Sequence, residues 1–312
     1  MFVLGIACSH APTLLLPTDM WEETYRAMAG DVPQPNAASS EDKRTLEDTR
    51  LRLDSGIEKM KQMLTRSRPD AIVIIGDDQR EVFPSWLNPA LAVFCGEEIS
   101  GHTLHNYRNR PGINQKINLA GSPKLGRDIV SGLIERGFDP LALAKFGLAG
   151  EEYEIGHAFA RPAHFLGLAE LGVPVVPLFL NMYYDPLPSG QRCYDMGAAL
   201  REIIDDQSQR IAVVASGGLS HDPLGQRAGW IDQRLDRWVL DRVASGDGHA
   251  LTSLYTFESD TLVGGTGEIR SWIAMAGAVG ALPAEVIDYV PLHHAVTGLG
   301  FAVWAPHEPS YN

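Results

Sequence analysis

Cysteine is scarce in this 312-residue chain, and neither a run of basic residues nor a long apolar stretch interrupts it. Cys8, Cys95 and Cys193 are odd in number and show no CxxC spacing. That excludes a disulfide framework as the basis of the fold and suits a reducing, cytoplasmic setting. Positive charge is also in short supply: 26 Lys and Arg face 39 Asp and Glu, a formal net charge of −13. A nucleic acid or an anionic membrane surface would be repelled, so neither is expected as a partner. No apolar run approaches the ~18 residues of a membrane span. The opening Met1-Phe2-Val3-Leu4 has no basic region ahead of it, so neither secretion nor membrane insertion is expected. There is no GxSxG nucleophile elbow, and the glycine pair Gly217-Gly218 does not belong to a GxGxxG dinucleotide loop.

What is present is a hydrophobic content of 45%, enough for a full core. Short β-branched runs alternate with longer amphipathic ones. Strands are expected over Val3–Cys8, Ala71–Ile75, Leu91–Cys95, Val173–Leu180, Ile211–Ser216 and Phe301–Trp304, several of them apolar throughout, as in a sheet covered on both faces. Helical periodicity falls over Glu41–Thr65, Leu125–Arg136, Tyr194–Ile204, Ile231–Ala244 and Glu268–Ala278. The alternation predicts an α/β fold with a central mixed, partly parallel sheet flanked by helices. Segments Ala27–Ser40 and Glu97–Pro123 are rich in turn formers and read as loops rather than linkers, so residues 1–312 are expected to form one domain.

In open α/β sheets ligands collect beyond the carboxyl ends of the strands. His10 follows the first expected strand, Asp77-Asp78-Gln79 the second, Asn181 the Val173 strand and Ser220-His221-Asp222 the Ile211 strand. Glu268 opens a helix after the cluster Gly264-Gly265-Thr266-Gly267. Adjacent residues cannot form a Ser-His-Asp triad, so Ser220-His221-Asp222 is not read as one. Cys8 lies on the same side of its strand as His10 and reads as a small buried apolar residue. His102 and His105 read as loop residues, with a ligand role as the alternative, and one of His293 and His294 is a candidate for the pocket wall.

These segments resemble the LigB-type (class III) extradiol ring-cleaving dioxygenases, which include the protocatechuate 4,5-dioxygenase catalytic subunit and the gallate dioxygenases. The resemblance is carried by Cys8-Ser9-His10-Ala11-Pro12, Ile72 through Phe83, Gly156-His157-Ala158, and Val176-Pro177-Leu178 through Asn181. It continues in Ser216-Gly217-Gly218-Leu219-Ser220-His221, Gly267-Glu268-Ile269-Arg270-Ser271-Trp272 and Thr297 through Ala302, so it runs the whole length. It implies a LigB-like domain that opens a catechol-like aromatic ring with O₂ and a divalent metal. His10 and Glu268 would be two ligands of a two-histidine, one-carboxylate site. The second histidine of that pattern falls at Gln79, where an amide replaces the imidazole.

Fe(II) is the first expectation for the metal; the departure keeps the ligand neutral but weakens it, so weaker Fe(II) binding is expected and Mn(II) or another divalent ion is the alternative. Three roles stay open at this turn: ligation by Gln79, which ranks first, ligation by Asp78, or contact of Gln79 with the substrate. Asp78 and Asn181 are read as substrate contacts, while Tyr107, Arg108 and Arg161 are further candidates for binding a carboxylate or ring. The resemblance makes His221 and His157 the acid/base pair, a role that suits a pKa near neutral. The partners implied are a small aromatic substrate and O₂, and a homodimer is the expected assembly. Two other functions compete: metal-assisted hydrolysis or lyase chemistry on the same scaffold, and a non-catalytic partner subunit.

Overall fold

The computed structural model describes residues 1–104, 112–146 and 154–306. Its strands, in chain order, are β1 (Phe2–Cys8), β2 (Ala71–Gly76), β3 (Leu91–Phe94), β4 (Glu98–His102), β5 (Lys116–Ala120), β6 (Leu141–Leu143), β7 (Val175–Leu180), β8 (Ile211–Ser216), β9 (Glu285–Leu292) and β10 (Thr297–Trp304). Eight of them form one mixed sheet in the order β6-β3-β7-β2-β8-β1-β10-β9, and β4 pairs with β5 in a separate hairpin. The central four, β7, β2, β8 and β1, run parallel, so their carboxyl ends emerge along one edge. The expected α/β class is what the chain adopts.

The helices are α1 (Trp21–Ala29), α2 (Lys43–Ser67), α3 (Pro123–Glu135), α4 (His157–Phe165), α5 (Leu168–Leu171), α6 (Gly190–Asp205), α7 (Gln233–Ala244) and α8 (Ile269–Val279). They cover both faces of the sheet because its strands offer apolar side chains to both. Ile72 and Ile74 pack with Leu53, Met60 and Leu64 of α2 and Phe159 of α4 on one face. Ala71, Val73 and Ile75, one residue out of phase, pack on the other with α3, α6, α7 and α8. Among the described residues, no helix is long and apolar enough to cross a membrane.

Elements that escaped the sequence patterns have physical reasons for doing so. Pro162 sits inside α4 and breaks its reading as a helix, yet the helix is short enough to end one turn later. β6 is three residues long and lies at the sheet edge. β9 lies at the opposite edge and is mostly half-buried, so its apolar alternation is weak. The segment read as a loop over Glu97–Pro123 holds the β4–β5 hairpin, and β10 starts four residues earlier than its apolar core suggested.

Helix α8 matters most for function, because Glu268 stands at its start. It crosses α6 at backbone contact: a Cβ on Gly277 would overlap the Tyr194 carbonyl, and one on Gly197 would overlap that of Ala274. A second tie holds the far end of the sheet. His294, in the turn between β9 and β10, meets Glu41 Oε2 at 2.6 Å through Nδ1 and Glu22 Oε2 at 2.8 Å through Nε2. Burial disfavours its charge, but the two carboxylates outweigh burial and raise its pKa above the ordinary value.

Gly277→Ala is therefore expected to lower stability by about 1–3 kcal/mol or more, because backbone cannot move aside as a side chain can. A urea titration showing an unchanged midpoint would contradict the close crossing. For His294 the raised folded pKa means that its contribution is complete below the unfolded value of about 6.5 and is lost as pH rises through the folded one. The stability gap between wild type and His294→Gln should accordingly be wider near about pH 6 than near about pH 9. A gap independent of pH would show that the tie is not ionic.

Candidate functional site

Four side chains delivered by different elements meet around one carboxylate oxygen. His10 lies two residues beyond β1, and its Nε2 is 3.7 Å from Glu268 Oε1. His221, beyond β8, brings its Nε2 to 3.4 Å of the same atom. Gln79, beyond β2, donates to it from Nε2 at 3.2 Å. The other oxygen of Glu268 accepts the Gly218 backbone N–H at 2.6 Å. This close approach requires glycine where β8 ends, since a Cβ on Gly217 would press on Ser271 Oγ and on the backbone of Glu268. Burial opposes the charge on Glu268, yet the His221 imidazole and the Gly218 amide outweigh it and hold the carboxyl well below the usual carboxylate range.

Hydrogen bonds away from the centre decide which ring nitrogens carry protons. Ser216 Oγ donates to the Ala158 carbonyl at 2.5 Å and therefore accepts from His10 Nδ1 at 2.9 Å. Burial pushes the His10 pKa down to about 3 despite the proximity of Glu268, so the ring is neutral and presents an Nε2 lone pair to the centre. His221 Nδ1 donates to the Leu219 carbonyl at 2.7 Å, which leaves Nε2 as its working nitrogen. Burial lowers the His221 pKa, but Glu268 and the Leu219 carbonyl raise it by more, and the net direction is upward. His157, the first residue of α4, meets Glu81 Oε2 at 2.8 Å through Nδ1, and its ring centroid lies 5.0 Å from that of His10.

Asp77 completes the group. It is 1% exposed. Its Oδ2 accepts from Gln79 Nε2 at 3.2 Å, whereas its Oδ1 is buried without a hydrogen-bond partner. Burial, followed by the charge of Glu268, raises its pKa well above the ordinary value. Donor atoms of His10, Asp77 and Glu268 all lie within 4.8 Å of one another. A neutral imidazole lone pair and two carboxylates gathered in a buried place, one of them with an unbonded oxygen, fit a divalent cation.

His10, Gln79, His157, His221 and Glu268 thus come together, while two other expected site residues do not join them. Asp78 spends its carboxylate inside its own turn, accepting the N–H groups of Arg80 at 3.2 Å, Val82 at 2.8 Å and Phe83 at 3.1 Å. This corrects the reading of Asp78 as a substrate contact or ligand. Asn181 is also spent on backbone. Its Nδ2 donates to the carbonyls of Tyr184 at 2.6 Å and Pro186 at 3.3 Å, and its Oδ1 accepts from the amides of Tyr183 and Tyr184 at 3.3 and 3.2 Å. Instead of reaching into the cleft, it braces the loop that brings Tyr183 and Tyr184 there. Gln79 is present at the centre, but with its amide nitrogen toward two carboxylates, the orientation of a donor and not of a carbonyl ligand.

The centre opens into a cleft of about 2780 Å³, lined near this group by His10, Gln79, Glu81, His157, Tyr183, His221 and Glu268. Arg161 lines it too, but it donates to the His10 carbonyl and to that of Thr103, both at 2.9 Å, so it secures the exit of β1. Burial lowers its pKa to about 10. His102 stands on the cleft wall bound to Glu154, and His105, Tyr107 and Arg108 lie outside the described residues. Neither His293 nor His294 faces the cleft: the first binds the Gly229 carbonyl at 2.9 Å, the second the two glutamates described above. Ser220 bonds to Asp236 and not to His221, so no triad exists at that turn. Glu81, Ser216 and Tyr183 were not foreseen as site residues, and Asp77 was noted at the β2 exit without a role. For Asp77 and Glu81 a signal existed, since they share the period of two with Gln79 along the exit of β2.

Comparison with known proteins agrees with this geometry. The family model described as the catalytic LigB subunit of aromatic ring-opening dioxygenase matches residues 5–302. A gallate dioxygenase of Pseudomonas putida is 34% identical over 132 residues, covering 41% of this chain and 38% of that protein. A 2,3-dihydroxyphenylpropionate/2,3-dihydroxicinnamic acid 1,2-dioxygenase of Comamonas testosteroni is 26% identical over 179 residues, 56% of this chain and 50% of that one. A protein of the same name from Rhodococcus sp is 23% identical over 299 residues, 80% and 89% of the two chains. The chain thus aligns with about a third to a half of the length of the first curated relatives it matches. An uncharacterized protein of Escherichia coli K12 shares the fold, with a TM-score of 0.55 at 16% identity over 96% of this chain and 99% of that one.

Proposed function

Because the chain belongs to the LigB family, we propose that it is an extradiol-type ring-opening dioxygenase acting with a divalent metal and O₂ on a catechol-like aromatic substrate. The observation that carries this reading is the convergence of His10, His221 and Gln79 on Glu268 Oε1 at the floor of an open cleft, with His157 beside them. A redox-inert hydrolytic site needs one base for water. Here the imidazoles of His157 and His221 remain beside the residues that would hold the metal, as a diol substrate that must lose a proton and later regain one requires.

His10 and Glu268 would hold the metal, with a third ligand from the β2 exit, and Fe(II) is the first candidate with Mn(II) the alternative. When bound, the metal supplies a Lewis acid that lowers the pKa of a chelating diol and keeps substrate and O₂ together. The chain's own residues do the rest. His221, with Nδ1 fixed on the Leu219 carbonyl, has only Nε2 free to take a hydroxyl proton. His157 holds Nδ1 on Glu81, so Nε2 is the nitrogen that returns a proton as the ring opens. Tyr183, whose pKa burial raises further, stays a neutral phenol on the cleft wall and suits contact with a substrate oxygen or ring. Gly218 keeps Glu268 oriented throughout.

Anaerobically purified protein, loaded in turn with Fe(II) and Mn(II) and offered a panel of catechols, should consume O₂ and form a yellow ring-opened product. O₂ uptake absent with every metal and every diol would end the proposal. Turnover without O₂ would turn it toward hydrolysis. In the active pairing, His221→Gln and His157→Gln should each lower kcat by about 10²–10⁴-fold. Full activity in either variant would remove that imidazole from proton transfer.

A further inference from the structure

Gln79 occupies the place where the resemblance asks for a second imidazole, yet its amide nitrogen lies 3.2 Å from both Asp77 Oδ2 and Glu268 Oε1. Turning the amide to offer its oxygen would break both hydrogen bonds and set a carbonyl dipole against two carboxylate oxygens. The atom at this centre that lacks a hydrogen-bond partner is Asp77 Oδ1. That oxygen is fully enclosed and unbonded, a state that buried carboxylates adopt when they bind a cation. We propose that Asp77 is the third protein ligand, so that this chain closes its metal site with one imidazole and two carboxylates, while Gln79 braces both carboxylates from outside.

Three observations support the assignment independently of one another. Asp77 is the first residue after β2, so its side chain is placed by the sheet and not by a loop. Its donor atom lies within 4.8 Å of those of His10 and Glu268, a spread that one ion about 2.1 Å from each oxygen and nitrogen closes with sub-ångström side-chain shifts. Its neighbour Asp78, the other acid at this turn, is consumed by three backbone N–H groups and cannot compete. A second carboxylate also changes the chemistry. Two negative ligands cancel the charge of a divalent ion, where a two-histidine, one-carboxylate set leaves one positive charge. The harder, oxygen-rich set shifts preference toward Mn(II) relative to imidazole-rich sites.

This inference deepens the reading under Proposed function and concerns the same site, but its test reads metal binding alone, so loss of either leaves the other standing. Chelator-stripped protein is titrated with Mn(II) by calorimetry and melted with and without the ion. Asp77→Asn should weaken Mn(II) binding by about 100-fold or more, keep the metal-free melting temperature close to that of wild type, and lose the rise that the ion produces. Gln79→Ala, as an outer brace, should cost about 10-fold. Asp77→Asn binding Mn(II) like wild type would overturn the proposal. Should that variant fail to fold, Gln79→Ala decides by comparison with Glu268→Gln. Equal losses in the two would make the amide a ligand and overturn the proposal, whereas a much smaller loss in Gln79→Ala upholds it.

Discussion

Everything at the centre of this protein depends on keeping the Glu268 carboxylate charged at 1% exposure. A buried carboxylate is stable only with compensating partners, and here they are few and fixed: one backbone N–H from Gly218, the His221 imidazole and the Gln79 amide. The rest of the architecture serves that arrangement. Glycines at the end of β8 let the backbone come near enough to donate, and the glycines of α6 and α8 fix the helix from which Glu268 projects. Parallel β7, β2, β8 and β1 then bring the remaining groups to one edge, because parallel strands must all end on the same side.

How much of this could be read from the sequence follows from the range over which each interaction acts. The buried strands and the long helices were legible because burial on one face or two leaves a period in the chain itself. β8 matches its expected limits, and α2 starts two residues late only because Asp42 serves as its cap, accepting the Thr45 N–H. Edge strands such as β6 and β9 were not legible, since half their surroundings are solvent and their pattern is correspondingly faint.

The site divides in the same way. His10 and His221 were accessible because motif and strand exit coincide, and His157 and Glu268 through their motifs at helix starts. The roles of Asp77 and Asp78 were not, because which of two adjacent acids turns inward depends on the backbone after β2. There the amides of Arg80, Val82 and Phe83 capture Asp78 and leave Asp77 facing the centre. Asn181 shows the converse: an amide at a strand exit looks like a recognition group until the loop it braces is seen to absorb every donor and acceptor it has.

The Ser216 hydroxyl joins three parts of the chain, being rooted in β8, donating to Ala158 in α4 and accepting from His10 after β1. Because α4 also begins with His157, one small side chain sets the rotation of the first imidazole against the helix that carries the second. Any displacement of that helix would therefore be felt at both imidazoles at once. The orientation of one ring and the placement of the other thus share a single oxygen atom.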